Sequence, residues 1–91
     1  PNPLTAVSGG RIETRVARLC HTRVEGIGRP GVGGTFVPMA LSRQELADMT
    51  GTTIETCIRI MSRWNKQNVI RTEKDGFTVL DKAILEESAS A

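Results

Sequence analysis

Apolar residues recur at helical spacing in two stretches of the chain. In residues 9–25 they stand at i, i+4, i+7 and i+8, the spacing of one face of an amphipathic helix: Ile12, Val16, Leu19 and Cys20. Basic residues follow the same period beside this stripe: Arg11, Arg15 and Arg18. The first stretch therefore predicts a helix with one apolar face toward the core and a solvated basic face next to it.

The second stretch has its apolar residues at i, i+3, i+4 and i+7: Cys57, Ile60, Met61 and Trp64. They predict the inward face of a helix. Because Trp64 falls within this stripe, we expect it to anchor the core and not to stack on a nucleic-acid base. Polar residues, basic toward the end, take the opposite side of the same helix: Glu55, Arg59, Ser62, Arg63 and Lys66.

Capping signals place the helix boundaries in the middle of the chain. Ser42–Glu45 has the S-x-x-E pattern of a capping box, and Thr50 and Gly51 are typical of a helix end. Thr52–Glu55 repeats the capping pattern almost at once, and the helix that it begins should run to about Gln67. Two short helices joined by a brief turn that contains glycine are the signature of a helix-turn-helix.

Extended segments flank this pair of helices. Thr35–Leu41 predicts a strand, and Pro38, which lacks an N–H donor, indicates that the strand lies at a sheet edge. Asn68–Thr72 and Phe77–Leu80 flank Glu73–Gly76, where the Asp-Gly pair predicts a hairpin with a positive φ at the glycine. This hairpin would form a wing.

Two further segments complete the chain. Residues 26–34 contain five glycines and one proline and are predicted to be an irregular loop. Their first six residues match GxGxxG, but a helix precedes them and an extended run follows, which is the wrong context for a dinucleotide-binding loop. Residues 81–87 predict a short helix capped by Asp81, and residues 88–91 a flexible tail.

Together these elements predict an α+β fold that is mainly α: a winged helix-turn-helix with a three-helix core and a small antiparallel β-sheet or wing. The expected organisation is a residual linker over residues 1–8, the winged-helix domain over residues 9–87 and the flexible tail. At 91 residues the chain can bury one modest core.

Charge and chemistry narrow the function. The net charge is +2, with five basic against two acidic residues in 1–41, four against three in 42–66 and three against five in 67–91. A polyanion would therefore have to bind a local patch. No metal-ligand spacing and no catalytic constellation occurs, so we expect neither an enzyme nor a cofactor. Cys20 and Cys57 are predicted to be buried apolar residues without a disulfide or zinc role.

The chain has no run of 18 apolar residues, and its opening lacks the basic start and apolar middle of a signal peptide. We therefore expect a soluble cytoplasmic protein that does not contact a membrane.

The segments LSRQELADMTGTTIETCIRIMSRW and VIRTEKDGFTVLD resemble the DNA-binding domain of the Crp/Fnr family of bacterial transcription regulators. The resemblance covers residues 9–86. It implies a ligand-sensing β-roll and a long dimerisation helix upstream, neither of which is in this sequence, so the chain is interpreted as an excised or truncated domain. The effector of that sensor is unknown. The expected partners are double-stranded DNA, RNA polymerase and a second copy joined through the missing upstream region.

The resemblance also implies where bases are read: Ile54, Glu55, Ile58 and Arg59. Chemistry agrees for two of these, because a carboxylate can accept from cytosine N4 and an arginine can bind guanine O6 and N7 together. At Ile54 the cyclic-AMP-sensing branch carries an arginine, whereas an aliphatic residue is similar to the oxygen-sensing branch. Ile58 replaces a serine of that branch, and it could either pack on a thymine methyl group or shield the groove edge.

Phosphate contacts are expected from the starts of both motif helices and from two lysines: Arg43, Gln44, Thr53, Thr56, Lys66 and Lys74. For Lys74, at the tip of the wing, a solvated turn charge is an equally good interpretation. Residues 26–34 are a candidate polymerase contact. The alternative function is a winged-helix module for protein–protein interaction without DNA binding, although Glu55, Arg59 and Arg43 favour duplex DNA.

Overall fold

The computed structural model describes residues 3–91, with side chains from Ile12 onward. Residues 1 and 2 of the predicted linker and the side chain of Arg11 lie outside the described part. Eight elements follow one another: α1 (Pro3–Ile27), β1 (Arg29–Gly31), β2 (Gly34–Val37), α2 (Arg43–Thr50), α3 (Ile54–Lys66), β3 (Ile70–Glu73), β4 (Gly76–Val79) and α4 (Lys82–Ser90). The winged helix-turn-helix architecture, mainly helical with a small antiparallel sheet, is confirmed.

Helix α1 begins before the predicted start at residue 9 and buries the predicted stripe. Val16 and Cys20 are buried, and Ile12 and Leu19 pack against the core from its margin. The same helix also buries Ala17 and Val24.

The sequence predicted a solvated basic face beside this stripe, but two of its arginines, Arg15 and Arg18, make specific contacts within the domain. Arg15 Nε donates to the carbonyl of Thr50 at 2.9 Å, and Arg18 Nε donates to the carbonyl of Ala89 at 2.8 Å. Both acceptors lie in the last turn of a helix, where carbonyls lack intrahelical donors and the helix dipole attracts cations. The two arginines therefore join α1 to the ends of α2 and α4.

The first capping box is confirmed at atomic level. Ser42 Oγ accepts from the Glu45 amide at 3.0 Å, and Glu45 Oε1 accepts from the Ser42 amide at 3.0 Å. Helix α2 ends at Gly51, whose φ of 73° lies in the left-handed region that favours glycine.

The second capping box was predicted one residue too early. The N-cap of α3 is Thr53, whose Oγ1 accepts from the Thr56 amide at 3.3 Å. Thr52 instead belongs to the end of α2, where its amide donates to the carbonyl of Ala47. Glu55 is consequently not used as a capping partner and its side chain is exposed.

The four strands form one antiparallel sheet in the order β1-β2-β4-β3. Residues 26–34, predicted to be irregular, instead supply β1 and the first residue of β2. These two strands pair tightly because Gly33, with φ of 85°, turns the chain between them. The edge assignment of β2 was also wrong: β2 lies between β1 and β4, and Pro38 comes just after the strand, where no ladder donor is needed.

The wing hairpin of β3 and β4 is confirmed, but its glycine has a different role from the one expected. Glu73 pairs with Gly76, so the loop residues are Lys74 and Asp75, and Gly76 does not have a positive φ. A Cβ on Gly76 would lie 2.0 Å from the carbonyl oxygen of Val37. Glycine is required here because the backbones of β4 and the end of β2 approach so closely.

The C-terminal helix α4 is capped as predicted, since Asp81 Oδ1 accepts from the Ile84 amide at 3.1 Å. It continues through Ser90, beyond the predicted end at residue 87. Leu85 is fully buried and Ala89 packs against the core. Residues 88–90, which the sequence predicted to belong to a flexible tail, are therefore part of α4.

The core contains the predicted anchor and both cysteines. Trp64 is 2% exposed, and Cys20 and Cys57 are buried and unbonded. Burial raises the pKa of the Cys20 thiol to about 12 and raises that of Cys57 as well, so both thiols stay protonated near neutral pH. Over residues 3–91, no helix combines the length and the apolar character that a membrane crossing requires.

We predict that Gly76→Ala lowers the free energy of unfolding by about 2 kcal/mol or more, because the added methyl group must displace the backbone of Val37. Gly26→Ala is the matched control: no heavy atom lies within 4 Å of its Cβ position, and the change should stay within about 1 kcal/mol. Urea unfolding of both variants measures the difference. Equal effects of the two substitutions would contradict the close approach of β2 and β4.

Candidate nucleic-acid interface

Helix α3 is oriented by its apolar face. Four residues of this face are buried in the core: Cys57, Ile60, Met61 and Trp64. The helical period then turns another set of side chains toward solvent, among them Glu55, Ile58 and Arg59. The exposed surface of α3 is thus a direct consequence of what the helix buries.

The four predicted base-contacting residues come together on the first two turns of α3. Ile54 is half-buried, Glu55 and Arg59 are exposed, and Ile58 keeps 46% of its surface accessible. They form two pairs one helical turn apart, Ile54 with Ile58 and Glu55 with Arg59, about 6 Å along the axis. Among the side chains that the structure describes, none hydrogen-bonds to Glu55 or Arg59.

Two predicted phosphate contacts at the start of α2 already have partners within the domain. Arg43 Nη2 donates to Thr72 Oγ1 on β3 at 3.2 Å, and Gln44 Nε2 donates to Asp48 Oδ1 at 2.9 Å. Arg43 is half-buried, whereas Gln44 is exposed. The remaining guanidinium N–H groups of Arg43 can still bind a phosphate, since this side chain carries five donors.

The predicted contacts at the start of α3 are its N-cap, Thr53, and Thr56 in its first turn. Thr53 Oγ1 donates to Thr56 Oγ1 at 3.0 Å while accepting from the Thr56 amide, so the two hydroxyl groups are coupled. The first-turn amides of α3 have no intrahelical acceptor, and the positive end of the helix dipole adds to their attraction for an anion.

The two lysines lie at separate places. Lys66 is the last residue of α3 and Lys74 is a loop residue of the wing, and both are exposed. Lys74 and Arg43 line the same apolar cavity, of about 270 Å³, between α1, the start of α2 and the wing. The structure therefore brings Lys74 near the start of α2 and leaves Lys66 at the C-terminal end of α3.

A small polar cluster that sequence reasoning missed fixes α3 against the wing. Asn65 Nδ2 donates to Thr72 Oγ1 at 3.1 Å, and Asn65 Oδ1 accepts from the Thr72 amide at 3.1 Å. Thr72 Oγ1 also accepts from Arg43, so α2, α3 and β3 meet at one hydroxyl group. No sequence signal marks Asn65, because its role depends on a strand that folds back beside it.

A second missed contact links the two hairpins of the sheet. Arg71 Nη2, on β3, donates to the carbonyl of Val32 at 2.6 Å. Val32 lies between β1 and β2 and its surface is 83% exposed. The wing is thereby connected to the loop of the first hairpin as well as to α2 and α3.

Comparisons with known proteins find a matching family and a similar regulator. A family described as the Crp-like helix-turn-helix domain matches residues 14–88. The nitrogen fixation regulation protein FixK of Bradyrhizobium diazoefficiens is 38% identical over 55 residues, which cover 60% of this chain and 23% of FixK.

Solved structures show the same fold. Oxidised CprK in complex with o-chlorophenolacetic acid matches with a TM-score of 0.82 at 19% identity, over 88% of this chain. The CO-dependent transcription factor CooA of Carboxydothermus hydrogenoformans gives 0.80 at 21% over 97%, and a CRP-family regulator of Thermus thermophilus gives 0.75 at 23% over 88%. The chain spans 34%, 39% and 40% of these three proteins, respectively.

We predict a pH-dependent effect of Glu45→Ala, which opens the capping box that presents Arg43 and Gln44. Hydrogen bonds from Ser42 lower the pKa of Glu45 below its usual value of 4.5. The ionised carboxylate therefore stabilises the fold above that pH, and this contribution is lost as the pH falls through the lowered folded-state pKa. The difference in unfolding free energy between variant and wild type, measured from pH 7 downward, should narrow with acidification; a constant difference would contradict the assignment.

Proposed function

We propose that the chain, which belongs to the Crp-like helix-turn-helix domain family, is the DNA-binding part of a transcription regulator and reads duplex DNA through the outer face of α3. The observation that carries the proposal is the pair Glu55 and Arg59. Both side chains are exposed, they lie one helical turn apart near the start of α3, and neither forms a hydrogen bond or an ion pair with a described side chain.

The two charged residues of this pair suit different bases. Arg59 would donate two parallel hydrogen bonds to guanine O6 and N7, and Glu55 would accept from cytosine N4. In helix-turn-helix proteins the N-terminal residues of the recognition helix contact base edges in the major groove. Ile58 would either meet a thymine methyl group or cover the groove edge, and Ile54, which is half-buried, would contribute apolar contact beside it.

The sequence-independent part of the binding would come from the surroundings of α3. Arg43, Gln44 and the coupled pair Thr53 and Thr56 lie at the starts of the two motif helices, where backbone amides also attract phosphate. Lys66 and Lys74 would extend the phosphate contacts along α3 and at the tip of the wing. These groups would fix the register of the helix in the groove, whereas base contacts would choose the sequence.

We further propose that the active form is a homodimer, joined through a region outside these 91 residues. One domain makes few base contacts, whereas two recognition helices about 34 Å apart would read the two halves of a pseudo-palindrome. RNA polymerase would be a further partner, the setting would be the bacterial cytoplasm, and the chain would act without catalysis.

We predict that the isolated chain binds DNA weakly and that a dimer made by fusing a parallel coiled coil ahead of α1 binds tightly. Random-site selection with this dimer should return a consensus of two inverted half-sites. Affinity should fall steeply with added salt, because each neutralised phosphate releases counterions. Binding that selects no sequence and does not respond to salt would favour a protein-interaction module instead.

We predict that Arg59→Ala costs about 1–3 kcal/mol of binding free energy on the selected site and relaxes one base position in each half-site. Lys66→Ala is the matched control, since Lys66 is an exposed cation on the same helix whose loss should weaken all sequences alike. Repeating the selection with each variant separates the two roles. An unchanged consensus with Arg59→Ala would show that Arg59 reads no base.

A further inference from the structure

Glu13 of α1 makes an ion pair with the recognition helix. Its Oε1 atom accepts a hydrogen bond from Nη2 of Arg63, and the pair joins residues 50 positions apart in the sequence. Both side chains are partly accessible, 31% for Glu13 and 42% for Arg63. Because solvent screens a pair at this exposure, it contributes little to stability. Its main consequence is the position of Arg63.

Arg63 follows Arg59 by one helical turn. The two arginines line, together with Glu13 and Thr56, a shallow groove between α1 and α3. Two arginines that line the same groove thus differ in their contacts. Glu13 binds Arg63, whereas no described side chain forms a hydrogen bond or an ion pair with Arg59.

We infer that Glu13 is a specificity-determining residue: by holding Arg63 against α1, it keeps a second guanidinium group off the DNA backbone and leaves Arg59 as the arginine of α3 that meets the duplex. This inference rests on the proposed function of α3. Phosphate contacts strengthen binding to every sequence, so an additional one lowers the ratio of specific to nonspecific affinity.

The test compares Glu13→Gln with wild type in the coiled-coil dimer, using a mixed-sequence duplex and the selected site. Gln keeps the size of the side chain but removes the carboxylate charge, which weakens its hold on Arg63. We expect affinity for the mixed-sequence duplex to rise by about three- to tenfold at low salt, and the plot of log affinity against log salt to steepen by about 0.9 per subunit for one added phosphate contact. Affinity for the selected site should rise less, so the specificity ratio falls.

Glu25→Gln is the matched control. Glu25 also lies on α1 and also forms an ion pair, with Lys82 Nζ at 3.3 Å, but its partner is on α4 and not on α3. Its removal changes the charge of the chain by the same amount and should leave the specificity ratio unchanged. Equal effects of Glu13→Gln and Glu25→Gln would overturn the inference in favour of a general charge effect.

Arg63→Gln completes a double-mutant cycle with Glu13→Gln. As a single variant it also tests the inference without requiring that Glu13→Gln fold stably. In the wild-type background it should leave the salt slope unchanged, and added to Glu13→Gln it should restore the wild-type slope. A smaller slope from Arg63→Gln alone would mean that Arg63 already contacts phosphate, and this would overturn the inference. If wild type selects no site at all, the proposed function fails; if it selects a site that Glu13→Gln leaves equally specific, only the role of Glu13 fails.

Discussion

Burial of one side of α3 is the constraint on which the rest of the molecule depends. The buried side of α3 consists of Cys57, Ile60, Met61 and Trp64. The indole ring of Trp64 is the largest of these side chains and removes a large apolar surface from water. With a fixed helical period, this burial determines the rotation of α3 about its axis. Everything that the outer face offers to a ligand follows from that rotation, because no residue can turn outward without another turning inward.

A second set of contacts fixes where α3 lies. The short turn at Gly51 holds it against α2, and Asn65 bonds it to Thr72 of the wing, where Arg43 of α2 donates to the same hydroxyl group. These contacts are hydrogen bonds among partly exposed groups and add little stability individually. Their importance is geometric, since a recognition helix must enter a groove at a defined angle. The ion pair of Glu13 with Arg63 adds a contact from α1 on the opposite side.

The sequence was most informative where the cause is local. Helical periodicity predicted the buried faces of α1 and α3, and the Ser42 capping box predicted the start of α2, because these signals depend on residues within one or two turns of each other. The outward direction of Glu55 and Arg59 follows from the same periodicity, so the candidate interface could be placed on α3 without coordinates.

The features that the sequence did not predict depend on distant parts of the chain. The strand β1 was missed because its glycine and proline have low strand propensity, and only pairing with β2 makes it a strand. The wing hairpin was predicted correctly but for the wrong reason, since the backbone of Val37, far from the turn, is what requires Gly76. The helix-end contacts of Arg15 and Arg18 and the pairing of Arg63 likewise join residues whose proximity is set by the fold.

The most direct test of the account is a methylation-protection footprint of guanine N7 on the selected duplex, with wild type, Arg59→Ala and Lys66→Ala compared. If the outer face of α3 lies in the major groove, wild type should protect one guanine at symmetric positions in the two half-sites, because Arg59 covers N7. This protection should disappear with Arg59→Ala and persist with Lys66→Ala at saturating protein. Protection that survives Arg59→Ala unchanged would contradict the central claim that the face opposite Trp64 reads the bases.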